Sequence, residues 1–257
     1  MDADLAFALE LANLADSITL PRFRAADLKV ETKPDLTPVT DADRAVEEAL
    51  RERIAHERPG EAVLGEEYGV DGDGPARWIL DPVDGTRNYA RGIPIFATLI
   101  AFERAGELVV GAVSAPALGR RWWAARGRGA FADGSPIRVS SVERIEDAVF
   151  SYSRSGLVDP IQREAVVGLA LRAWHARTFS DFWQHMLVAQ GSADVALDHA
   201  VELWDLAASK VIVEEAGGRF TDFDGRARPD GGTAISSNGL LHDEALGALQ
   251  AARTASS

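Results

Sequence analysis

Apolar residues recur at helical spacing over residues 3–19, a segment rich in Ala and Leu, and predict an amphipathic helix there. The following stretch, "KPDLTPVTDAD", is punctuated by proline and reads as extended. From Asp41 the pattern turns helical again, with Val46, Leu50 and Ile54 four residues apart, until "RPG" stops it. "EAVLGEE" reads as a short strand terminating in Glu66 and Glu67, "GVDGDGP" as a flexible loop, and 76–81 as a buried strand. Two β-rich runs fill 95–118 around a turn at Arg104–Glu107. β character then continues through a hairpin turn at Asp133-Gly134.

Beyond about residue 140 the pattern changes. Strands near 147–152, 176–179, 193–198, 218–222 and 233–236 alternate with helices near 160–173, 182–190, 204–216 and 240–251. Residues 1–139 thus form an antiparallel-rich α+β half and residues 140–257 an α/β half. No linker is long enough to separate them, so they are expected to pack as one compact unit.

Composition narrows the function classes. At 257 residues the chain can bury a substantial core, and 46% hydrophobic with 26% charged residues is ordinary for a globular protein. The 27 basic and 40 acidic residues give a net charge of −13, which argues against nucleic-acid or anionic-membrane binding. An anionic substrate would need a cation to invert that field locally. The absence of cysteine excludes disulfides, thiolate catalysis and Cys-based metal sites. No apolar run approaches the ~18 residues of a membrane span. The acidic N-terminus lacks the basic region of a signal peptide, so the expected location is the cytoplasm.

Within "WILDPVDGTRNYARGIP" an apolar run ends in two aspartates that bracket Pro82 and Val83. Pro82 cannot donate to a sheet, so pairing is expected to stop there, with the Val83 carbonyl left free between Asp81 and Asp84. Two carboxylates and a carbonyl on one stiff segment form a hard-oxygen site suited to Mg²⁺ or Mn²⁺. The plainer alternative is a pair of turn aspartates, one of them a cap. Glu66 and Glu67 end a neighbouring strand and could join such a site, or form a solvated turn. Asp205 and Asp43 each stand in the first turn of a helix, where capping alone would account for them.

Other chemistries find no support. The five histidines lack metalloprotease spacing, "SYSRSGL" lacks the first glycine of a nucleophile elbow, and "RGRGAF" lacks a third glycine. "DGDG" is too short for a calcium loop.

Taken together, "GEE" at 65–67, "DPVDGTRNY" at 81–89 and "WDLAASKVIVEEAGG" at 204–218 resemble the three signatures of the inositol monophosphatase family. "VTDAD" at 39–43 matches an upstream motif, and "GRGAF" and "PIRVS" match a β segment; the resemblance runs from about residue 5 to 250. It implies a layered αβαβα sandwich and Mg²⁺-dependent phosphomonoester hydrolysis by a homodimer. Two or three Mg²⁺ ions are implied, with Mn²⁺ able to substitute. By resemblance, Glu66, Asp81 and the Val83 carbonyl hold one metal. Asp81 bridges to a second, held also by Asp84 and Asp205, and a third lies near Glu66. Thr86 and Asp43 match the pair that orients and deprotonates the attacking water. The amides of Gly85 and Thr86 match the phosphate contacts. Glu67 and Lys33 match accessory positions. A metal pair clamping the attacking and leaving oxygens of an in-line displacement fits so inert an ester.

"TKPDLTPVTDADRAVE", "VSAPALGRRWWAARGRGAF" and "SNGLLHDE" resemble the bacterial branch of that family acting on L-histidinol phosphate, a step of histidine biosynthesis. That branch implies a small phosphate ester as substrate. Asp181, with aromatic neighbours in "SDFWQ", suits a cationic, ring-bearing alcohol, and Asp198 matches a substrate contact that could share the load. Asp181 could instead cap the helix at 182–190, and Trp183 could be core or dimer packing. An inositol-1-monophosphatase or broad sugar and polyol phosphatase is the alternative within the family. A metal-binding regulatory protein without catalysis is the alternative outside it.

Overall fold

A computed structural model describes residues 3–153 and 160–255. The chain opens with α1 (Ala3–Arg22), a hairpin of β1 (Val30–Thr32) and β2 (Pro38–Thr40), and α2 (Asp41–Glu57). Thr40 caps α2 reciprocally with Asp43, which fixes where that helix begins. Next come β3 (Ala62–Gly65), β4 (Gly69–Asp71), β5 (Ala76–Asp84) and the single-turn α3 (Thr86–Ala90). β6 (Ala97–Arg104), β7 (Glu107–Ala115), β8 (Arg120–Ala125), β9 (Ala130–Ala132) and β10 (Ser135–Ile137) follow as a meander. The second half runs β11 (Val149–Tyr152), α4 (Pro160–Arg172), β12 (His175–Arg177), α5 (Asp181–Ala189) and β13 (Val195–His199). It continues with α6 (Leu203–Glu215), β14 (Arg219–Thr221), β15 (Thr233–Ser237) and α7 (His242–Ala255).

Strands β3 to β10 form an eight-stranded sheet in the order β10-β9-β8-β7-β6-β5-β3-β4, antiparallel except for β3 against β5. A five-stranded mixed sheet has the order β12-β11-β13-β15-β14. Helices α1 and α2 cover one face of the large sheet, α5 and α6 lie between the sheets, and α4 and α7 cover the outer face of the small one. The result is the expected layered αβαβα sandwich.

Its cores follow the apolar pattern. Leu11, Val46, Leu50, Trp78 and Phe102 meet beneath α1 and α2. Trp78 stacks on Phe102 at 4.4 Å and sends its indole N–H to Glu61 at 2.7 Å, so its one polar atom is satisfied. Between the sheets, Ile79, Leu99, Val113 and Trp122 pack against Met186, Val188, Val211 and Ile212. Each such aliphatic side chain contributes roughly 1.5–3 kcal/mol on burial. Gly111 lets α6 approach the sheet closely, since a Cβ there would lie 2.4 Å from the Ala208 carbonyl.

Two local expectations change. Gly69–Asp71, read as loop, is an edge strand, because its backbone completes an antiparallel pair with β3 that apolar periodicity does not signal. β5 does not end at Pro82. Asp81 pairs with Leu99 and pairing resumes at Asp84 with Ala97, so the strand carries a bulge. The Thr98 hydroxyl donates to the Pro82 carbonyl at 2.8 Å and so ties the bulge to β6. The stretch "SYSRSGL" extends through 154–157, outside the described residues. No helix among the described residues is long and apolar enough to cross a membrane.

Candidate active site

The bulge in β5 builds the centre of the site. Within it Asp81 folds back so that Oδ1 accepts the Val83 N–H at 3.0 Å. The Val83 side chain is buried with Ala42, Tyr89 and Phe96, which anchors the turn from below. The Val83 carbonyl is not free, as the sequence suggested, but accepts the Thr86 hydroxyl at 2.9 Å. Gly85 adopts φ +80°, and a Cβ there would lie 2.9 Å from the Ile95 carbonyl, so glycine is required both by conformation and by space.

Asp205 arrives from α6, where its Oδ2 accepts the Glu202 N–H at 2.8 Å. One carboxylate oxygen from each of Asp81, Asp84 and Asp205 lies within 4.8 Å of the others. Capping alone would explain Asp205, but not why the fold directs it at two other acids. Asp84 Oδ2 also accepts the Phe182 N–H at 2.5 Å, so a residue of β5 satisfies the first turn of α5.

These acids line a cavity of about 540 Å³ together with Glu66, Val83, Gly85, Thr86 and Asp181. Glu66 and Glu67 are bridged by Lys33, at 2.8 and 2.5 Å. Burial works against the Lys33 ammonium, but hydrogen bonds to Glu66 and Glu67 outweigh it and raise its pKa. Asp43 Oδ1 is 3.2 Å from the Thr86 hydroxyl, while its Oδ2 holds the Thr40 amide and hydroxyl.

The electrostatics are those of crowded, half-dry acids. Burial first, then the charges of Glu66, Asp84 and Asp205, pushes Asp81 well above the carboxylate range. Burial first, then Asp181 and Asp205, does the same to Asp84. Asp205 is pushed up to about 7 by burial and by Glu66 and Asp198, against the Glu202 amide. Burial raises Asp43 to about 6, and raises Glu67 to about 7 despite its Lys33 bond. Hard oxygen donors crowded at this spacing fit a divalent cation, whose charge offsets the repulsion among them.

That cost has a measurable sign. Carboxyls whose folded pKa exceeds the unfolded value stabilise the fold below about pH 4, and that contribution is lost as pH rises through about 7. In chelator, the difference in melting temperature between Asp205→Asn and wild type should therefore grow from pH 4 to pH 7.5. Mg²⁺ should raise the wild-type melting temperature more at pH 7.5 than at pH 5. Calorimetry showing the same difference at every pH would discard this account of the cluster.

Asp181 and Asp198 meet at a second, adjoining cavity of about 270 Å³, lined also by Arg87, Phe182, His185 and His199. Asp181 borders both cavities and receives Asn88 Nδ2 at 3.1 Å. Burial, then Asp198, raises Asp181 to about 6, with Arg87 opposing. Neither Asp181 nor Ser180 makes a side-chain cap to α5, and both sit at positive φ, +51° and +60°. That pair of left-handed residues costs backbone energy and turns Asp181 into the cavities. Trp183 lines neither; it packs partly buried against the inner core, 5.5 Å from Phe179.

Sequence reading missed Glu47. Fully buried on α2, it accepts the Glu67 and Tyr68 amides at 2.7 and 3.2 Å and Arg51 Nε at 2.8 Å. A Cβ on Gly65 would lie 2.0 Å from its Oε1, so this glycine gives Glu47 the room to hold the Glu66–Glu67 turn. The available signal was the four-residue spacing of Asp43, Glu47 and Arg51 along one helix. Asn88 and His185 carried no such signal.

The chain matches the inositol monophosphatase family over residues 1–254. It is 50% identical over 256 residues to a histidinol-phosphatase of Streptomyces coelicolor, covering 96% of each chain. It is 52% identical over 255 residues to a histidinol-phosphatase of Mycobacterium tuberculosis, covering 96% of this chain and 98% of that one. Its fold superposes on Thermotoga maritima IMPase with a TM-score of 0.90 at 32% identity, over 99% of both chains. Acids from a bulged strand and a helix start, in this layered frame and with these relatives, leave one assignment: the chain belongs to the inositol monophosphatase family.

Proposed function

We propose that the protein is a Mg²⁺-dependent phosphomonoesterase that hydrolyses L-histidinol phosphate to L-histidinol and phosphate. The convergence of Asp81, Asp84 and Asp205 beside the Thr86–Asp43 pair carries the phosphatase reading. The substrate reading is supported by the two relatives at 50% and 52% identity and by the acids of the second cavity.

Glu66, Asp81 and the Val83 carbonyl would hold one cation, Asp81, Asp84 and Asp205 would hold a second, and a third would lie near Glu66. When bound, these ions supply positive charge for the phosphoryl oxygens and acidify water near neutral pH. The protein's own groups supply the rest. Thr86 has one hydroxyl proton and two acceptors in reach, Val83 O and Asp43 Oδ1. A water donating to Thr86 Oγ1 is thereby linked to Asp43, which can take the proton. Asp43 raised to about 6 is poised for that exchange near neutral pH. Gly85 and Thr86, at the start of α3, line the same cavity, and their amides would receive phosphate oxygens. Glu67 and Lys33 keep Glu66 in place. Asp181 and Asp198 receive the ammonium of the alcohol.

The deciding comparison is kcat/KM for histidinol phosphate against inositol 1-phosphate with Mg²⁺ present, and the former should be higher. Preference for inositol 1-phosphate would return the polyol reading to first place. Asp181→Asn refines the test. A charge-assisted hydrogen bond contributes roughly 1.5–3 kcal/mol, so histidinol phosphate should lose about tenfold to 150-fold in kcat/KM. Glycerol phosphate, with no ammonium, should change little. Equal losses on both esters would remove Asp181 from substrate recognition.

A further inference from the structure

The smaller cavity contains a buried ring that phosphate chemistry leaves unused. His185 of α5 is 1% exposed and is among the residues lining the cavity with Asp198. Nδ1 lies 2.7 Å from the Ser236 hydroxyl of β15, and the ring leans on Phe220 at 6.2 Å. Nε2 has no hydrogen-bond partner among the described residues. Asp198 Oδ2 stands 3.7 Å from it, too far for a hydrogen bond. That carboxylate is engaged elsewhere, by Gln184 Nε2 at 2.9 Å and the His199 amide at 3.0 Å.

The network assigns the tautomer. Ser236 is fully buried, and among the described residues its hydroxyl has His185 Nδ1 as its one partner. A buried hydroxyl proton without an acceptor is costly, so it goes to Nδ1. Nε2 then carries the ring proton, and the nearby Asp198 anion favours a proton on that side. The residues around the cavity thus supply two different features: the buried, unsatisfied N–H of His185, and the carboxylates Asp181 and Asp198. A polyol, itself uncharged, would use the carboxylates only as hydrogen-bond acceptors. An alcohol carrying both a cationic amine and an unprotonated ring nitrogen matches both features at once.

We infer that His185 Nε2–H is a specificity-determining donor to an unprotonated azole nitrogen of the substrate, while Asp181 and Asp198 carry its ammonium. The inference rests on the histidinol phosphate reading and adds to it the residue that recognises the ring. A buried donor is left unpaired by an analogue that lacks the matching acceptor, and sites of this kind reject such analogues strongly.

Phenylalaninol phosphate tests this, because it keeps the ammonium and the phosphate but replaces imidazole with phenyl. Its kcat/KM should be compared with that of histidinol phosphate for wild type, His185→Gln and His185→Asn. The glutamine amide reaches about as far as Nε2 and preserves a donor in the cavity. The asparagine amide reaches only the Nδ1 position, so it retains a partner for Ser236 but withdraws the cavity donor. His185→Asn should lose about tenfold or more on histidinol phosphate and little on phenylalaninol phosphate. His185→Gln should keep most of the wild-type preference. Equal losses on both esters, or a glutamine variant no better than asparagine, would reduce His185 to a packing role and overturn the inference. Wild type that turns over histidinol phosphate no better than inositol 1-phosphate would overturn the substrate reading, and this inference with it.

Discussion

Replacing Asp84 by asparagine is expected to lower kcat by about 10²–10³-fold or more, because on the proposed reading it removes one charge from the acids that would hold the cations. The fold should persist. The asparagine carbonyl can still accept the Phe182 amide that Asp84 Oδ2 holds at 2.5 Å, so the start of α5 stays tied to β5. In chelator the variant should melt at or above the wild-type temperature at pH 7.5, since burial and the charges of Asp181 and Asp205 make an ionised Asp84 costly there. Mg²⁺ should stabilise it less than wild type, because binding energy for the folded state appears directly in the melting temperature. Isothermal titration with Mg²⁺, melting curves with and without chelator, and kcat separate these effects. Near-normal turnover, or undiminished Mg²⁺ stabilisation, would exclude Asp84 as a ligand.

Thr86→Ala should behave differently. It deletes the hydroxyl that lies 2.9 Å from the Val83 carbonyl and 3.2 Å from Asp43, while leaving every carboxylate in place. Losing one positioned proton-transfer group costs ~10²–10⁴-fold in kcat. Mg²⁺ affinity by calorimetry should change far less than kcat. Thr86→Ser, which restores the hydroxyl without the methyl, should recover most of the rate. A variant with weakened Mg²⁺ binding and normal kcat at saturating metal would show that Thr86 serves the metal site and not the attacking water. The contrast between Asp84 and Thr86 is the sharpest available division between holding cations and moving protons.

Much of this was already written along the chain. Apolar spacing over 3–19, 46–54 and the alternating second half determined the helices and strands, because a segment that must bury one face shows that period in its own sequence. The acids at 66, 81, 84 and 205 were visible because short-range features expose them: Pro82 interrupts a strand, and helix starts favour aspartate. What they do was not local. Asp81 and Asp205 stand more than a hundred residues apart, and only the packing of α6 against β5 and β6 brings them within reach of one cation. The bulge that keeps β5 paired past Pro82 depends on Thr98 of the neighbouring strand. Glu47 is an ordinary helical acid in the sequence and becomes the holder of the Glu66–Glu67 turn only through Gly65. His185 reads as a polar interruption in an apolar helix. Its meaning comes from Ser236, fifty-one residues away on another strand, and from the cavity on its other side. The sequence alone determined which residues could carry charge and where the main helices begin, since these are set by neighbours along the chain. Only the tertiary structure decided which acids come within reach of one another and which buried donor is left without a protein partner, since those depend on contacts made across the fold.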